Sequence, residues 1–183
     1  MSINFANIIA KPKEIPTLKT SNIGLVLFSA VFIAADVLLP WAAHQFGIAG
    51  QVFLPMHFLV LVSALLFGWR MGLVVGLFTP IMSYLFSGMP LFSILPLVII
   101  EVASLGFFAG LFRERFKLNI YLSLILALIT AKILLLLAVL VFGGPVAPID
   151  HVLNVIKLSW LGILIQLAFV PLIVKLLYGR IGK

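Results

Sequence analysis

Residues 53–110 read FLPMHFLVLVSALLFGWRMGLVVGLFTPIMSYLFSGMPLFSILPLVIIEVASLGFFAG, and the stretch carries one arginine, Arg70, and one carboxylate, Glu101. Three features decide its reading. Pro55-Met56-His57 opens an apolar run. Gly68, Gly72 and Gly76 recur every fourth residue, so on a helix they share one face. Glu101 lies alone in an apolar run, between Pro96 and a second small-residue pair, Gly106 and Gly110. In a bilayer, small residues let helix backbones approach closely. A lone carboxylate there must face a cavity or a partner.

Composition sets the class. The chain has 183 residues, of which 64% are hydrophobic and 9% charged. A soluble domain has about 25% charged residues, so this is an integral membrane protein. The absence of cysteine excludes disulfides, thiolate metal sites and cysteine nucleophiles. The net charge of +7 does not mark a nucleic-acid binder, because the basic residues lie between apolar runs and serve to orient the chain. No GxxxxGK[ST], HExxH or GxSxG motif occurs, which leaves an ATPase, a zinc protease and a serine hydrolase without support. His44, His57 and His151 are too scattered to form a metal signature.

Working outward from the central stretch, runs near the 20 residues needed to cross a bilayer divide the chain into six spans. They are Gly24–Ala43, Phe53–Phe67, Met71–Phe86, Leu91–Phe112, Leu118–Phe142 and Val152–Tyr178. Residues 1–22 read as a cytoplasmic tail broken by Pro12 and Pro16, and residues 23–183 as one transmembrane domain. The tail and first span resemble a signal peptide, but the run is long for one and further spans follow, so it is expected to be retained. The second and third spans are short, so they must tilt, thin the bilayer or be buried by other helices. Pro80 and Pro171 are expected to kink the third and sixth spans.

The basic residues test this count. With the N-terminus inside, the inner segments hold Lys11, Lys13, Lys19, Arg70, Arg113, Arg115, Lys117, Lys175, Arg180 and Lys183. The outer loops 41–51, 87–90 and 143–151 hold no lysine or arginine. Cytoplasmic loops are enriched in both. The expected fold is therefore all-α, with six transmembrane helices and both termini cytoplasmic.

The ionisable groups inside the spans are the candidate site. At 1.5 Å per residue, Asp36 lies about 10 Å below the outer end of its span, and Glu101 and Lys132 about 15 Å below theirs. His57 and Lys157 lie within about two turns of the outer ends. An outward-facing pocket would produce this distribution. The same residues have structural readings. Glu101 and Lys132 also fit a buried ion pair, His57 a helix-start cap, and Lys157 a snorkelling surface lysine. Lys157 shares a face with Asn154 and precedes Trp160 by about one turn, a polar–aromatic patch in which Trp160 also fits an interfacial anchor. The glycine runs fit internal helix packing. Ala30-xxx-Ala34 lies well around the first span from Asp36 and fits contact with a partner.

Pro55 at the start of the second span, the Gly68/Gly72/Gly76 run, Thr79-Pro80, Gly88-Met89-Pro90 and Glu101 together resemble the substrate-binding S component of energy-coupling factor (ECF) transporters. The likeness is specific over about a third of the chain. The resemblance implies a vitamin-type micronutrient bound from outside, in a pocket made by the outer loops and outer ends of the fourth to sixth spans. Its substrate-binding residues would be His57, Met89, Glu101, Lys132, Asn154, Lys157, Trp160 and Asp36. It further implies docking through Ala30 and Ala34 to a transmembrane coupling subunit carrying two ATPases, which supply the energy this chain has no motif to harvest. No cofactor, resident metal or enzymatic activity is implied, and the location would be a bacterial-type cytoplasmic membrane. The alternative is a non-transport membrane scaffold of the cell-shape machinery type.

Overall fold

The computed structural model describes residues 17–19, 21–45, 55–143 and 147–181. Six helices follow in order: α1 Asn22–Gln45, α2 Pro55–Phe67, α3 Trp69–Ser87, α4 Leu95–Glu114, α5 Ile120–Phe142 and α6 Pro148–Ile181. There is no strand among the described residues. Most of the expected tail, much of the loop 41–51, and residues 53–54 and 144–146 lie outside the described residues.

Five of the helices are long and apolar enough to cross a membrane, and α2 is not. Its 13 residues extend about 20 Å, against about 30 Å of hydrocarbon. The structure resolves this by burial rather than by tilt alone. Val60, Leu61, Val62 and Ala64 are fully enclosed, and Leu65 and Leu66 nearly so. Helices α1, α3, α4 and α6 all pack on α2. Its ends therefore meet protein, where irregular backbone is tolerated at membrane depth. Leu18 N–H donates to Leu66 O at 2.7 Å, closing one of the carbonyls that the end of α2 leaves free.

A single residue, Gly68, turns the chain from α2 into α3. Its φ of +93° and ψ of −174° lie in a region reserved for glycine. The new helix has no capping side chain of its own. Glu114, at the far end of α4, supplies the cap: its Oε2 accepts from Trp69 N–H at 3.2 Å. A carboxylate at a helix N-terminus also meets the positive end of the helix dipole.

Helices α3 and α4 then run together with backbones in contact. A Cβ on Gly72 would stand 2.2 Å from Gly106 O, and one on Gly76 would stand 2.6 Å from Val102 O. Lipid tails are as apolar as leucine, so burial alone does not press two helices together in a bilayer. Close van der Waals contact does. The glycine pattern read from the sequence is thus an internal packing face. Outward faces are apolar and exposed, as on α5 at Ile125, Ile129, Ile133 and Leu137. Pro80 and Pro171 both lie inside helices, α3 and α6.

Gly106→Ala should force α3 and α4 apart and lower stability by about 1–3 kcal/mol, the usual cost of overpacking. Gly179→Ala, where a Cβ meets nothing within 4 Å, should leave the melting temperature in detergent unchanged. Equal melting of the two variants would show that the α3–α4 contact is slack.

Candidate substrate site

Three helices converge on one polar cluster. His57 comes from the first turn of α2, Glu101 from α4 and Lys132 from α5. Lys132 Nζ donates to Glu101 Oε1 in a direct ion pair. His57 Nε2 lies 3.7 Å from the same oxygen. His57 and Glu101 are 8% and 7% exposed, and Lys132 is half-buried. Helix α4 begins at Leu95 rather than Leu91. Glu101 therefore lies about 9 Å from the N-terminal end of α4, closer than the sequence count implied, while Lys132 stays about 15 Å from the C-terminal end of α5.

The ion-pair reading of Glu101 and Lys132 is met: the pair forms. The capping reading of His57 is not met. Neither ring nitrogen has a hydrogen-bond partner among the described residues, although the ring is buried. The buried imidazole faces the paired carboxylate through Nε2 and leaves Nδ1 without a partner among the described residues.

The other expected residues fall elsewhere. Asp36 is 0% exposed, and its Oδ2 accepts from Thr79 Oγ1 at 3.5 Å. Helix α1 packs on α2 and α3, so this carboxylate belongs to the α1–α3 contact and is not joined to the cluster. Met89 is exposed in the turn between α3 and α4. Asn154, Lys157 and Trp160 are all exposed on α6, Trp160 at 58%. The structure does not bring these three to the cluster. The reason is angular: Ser159, which is buried, lies about 200° around the helix from Lys157 at 100° per residue. The buried stripe of α6 is instead Ser159, Gly162, Gln166, Val170 and Val174. Gln166, also on this stripe, carries no charge. Its signal in the sequence was an amide set in a long apolar run, the same intramembrane polarity that marked Glu101.

The apolar helices and the polar cluster among them fit a multi-pass membrane protein. Residues 25–182 match the family of ECF transporter substrate-specific components, and the chain belongs to that family. It is a transport subunit, not an enzyme, and the scaffold alternative falls with that assignment. No curated protein and no solved structure matches the chain.

The ion pair makes a stability prediction that needs no ligand. Removing one partner of a buried pair strands the other charge, at about 3–5 kcal/mol. Glu101→Ala should therefore destabilise the protein more than the double change Glu101→Gln with Lys132→Met, which leaves no charge behind. Thermal unfolding of the three proteins checks this, and equal losses would mean that the pair is solvated rather than buried.

Proposed function

We propose that this chain captures a vitamin or related polar micronutrient from outside the cell and delivers it inward, in complex with a transmembrane coupling subunit and two ATPases. The observation that carries the reading is the His57–Glu101–Lys132 cluster. It is polar, partly self-neutralised, mostly buried, and open to further hydrogen bonding at His57. Family membership supplies the class of task, and the missing nucleotide motif means that energy comes from other subunits.

In this reading the six helices stand with both termini inside. The lysines and arginines at the Arg70 and Arg113–Lys117 turns then face the cytoplasm, and the cluster faces out. Ala30 and Ala34 are exposed on α1, about 200° around the helix from buried Asp36 in the case of Ala34. A flat small-residue face on the outside of the bundle suits close approach by a helix of the coupling subunit.

Two experiments test this. Ala34→Trp, in the complete transporter, should abolish uptake while the isolated chain keeps its ligand affinity, because the ring blocks docking without reaching the cluster. Unimpaired uptake at normal expression would remove α1 as the docking face. Orientation is read by single cysteines at Arg115 and Ala147, treated with an impermeant thiol reagent in intact cells. Ala147→Cys should label and Arg115→Cys should not; the reverse pattern would invert the topology and place the cluster on the wrong side for capture.

A further inference from the structure

Gln166 is 0% exposed, and neither the oxygen nor the nitrogen of its amide has a hydrogen-bond partner among the described residues. A buried amide left unbonded opposes folding, and native proteins hold few such groups. Of the five buried side-chain atoms without partners among the described residues, four belong to Gln166 and His57. These two residues lie on α6 and α2, which pack on each other.

Gln166 also lies close in depth to the cluster. Two contacts bracket the antiparallel register of α5 and α6. Lys175 Nζ stands over the Tyr121 ring at 5.5 Å, which puts Gln166 level with about Thr130. Val152 packs against the cluster of Leu97, Leu135, Ala138 and Val139, and taking the α5 members of that cluster as its level puts Gln166 near Leu124. Gln166 therefore lies between about 3 and 12 Å inward of Lys132. Its neighbour one turn toward the N-terminus of α6 on the same buried stripe is Gly162, which carries no side chain. Ser159, a further turn out, spends its hydroxyl on Val155 O at 2.6 Å. It leaves that stripe without a competing donor.

We propose that Gln166 is the inward end of the substrate site and selects a molecule carrying an amide-type group, such as a lactam, imide, cyclic urea or secondary amide. A glutamine side chain presents a carbonyl acceptor and an N–H donor side by side. The matching ligand edge presents an N–H and a C=O in the same way, so both bonds form together. The other end of the ligand meets His57 and the Glu101–Lys132 pair. A site built to hydrogen-bond such an edge rejects analogues lacking it, because its own buried groups are then left unpaired.

This inference rests on the proposed capture function, and its test separates the two. The full-length protein in detergent is titrated with two sets of labelled probes. Biotin, pantothenate, riboflavin and folate carry an amide-type group. Lipoate and nicotinate do not, and lipoate shares the pentanoate side chain of biotin. The expected result is binding of at least one probe of the first set and neither of the second. Gln166→Met, a near-isostere without the amide, should weaken that binding at least tenfold. Its melting temperature without ligand should be unchanged or higher, because an unbonded amide has been removed from an apolar interior. Glu101→Gln should weaken the same probe. Wild-type affinity in Gln166→Met, a clear fall in its ligand-free melting temperature, or binding of lipoate or nicotinate by the wild type would each overturn the inference. In the first two cases binding that remains sensitive to Glu101→Gln would leave the capture function standing. Failure of the wild type to bind any probe would overturn both.

Discussion

The backbone contact between Gly72 and Gly106 holds the bundle in register. Neither residue has a side chain, and a Cβ on either would stand 2.2 Å from the other's carbonyl oxygen. That approach joins α3 to α4 along a glycine face running from Gly110, beside Trp69, out to Gly76, beside Val102. It also fixes how far along α4 each residue sits relative to the α2–α3 hairpin. With Glu114 capping α3 at its N-terminus, Glu101 arrives beside His57. A side chain inserted between α3 and α4 would shift both ends of this arrangement.

The second constraint is polar. Inside a bilayer a charge or an unbonded amide has no water to turn to. The structure answers each group differently. Glu101 is met by Lys132. Asp36 is met by Thr79 at 3.5 Å and by the backbone at Leu59, and its Oδ1 has no side-chain partner among the described residues. His57 and Gln166 are enclosed with their hydrogen-bonding capacity unspent. Ser63, Ser104, Thr130 and Ser159 instead turn their hydroxyls back onto their own helices.

Helix α2 connects these two constraints. It is too short to cross the hydrocarbon region by itself, and it carries His57 in its first turn and the Gly68 turn just past its last residue. Because it is enclosed by α1, α3, α4 and α6, the positions of its two ends are decided by packing and not by the lipid. A small polar cluster can then be held at a set depth by a helix that lipid never needs to match in length.

Much of this was legible in the chain itself. The low charge content, the lengths of the apolar runs and the four-residue glycine spacing determine a helical membrane bundle with a tight α3–α4 contact, since each follows from local periodicity and bilayer thickness. The pairing of Glu101 with Lys132 was readable too, because consecutive antiparallel helices bring residues at matching depths together. What the tertiary structure alone decided is which side of each helix faces in. On α6 the charged and aromatic residues Lys157 and Trp160 turned outward, and the uncharged Ser159 and Gln166 turned inward. Asp36 was drawn into the α1–α3 contact instead of the cluster. In an almost wholly apolar helix there is no strong contrast between faces to fix its rotation. The rotation is set by which neighbours it can pack against, and that information is spread over five other helices.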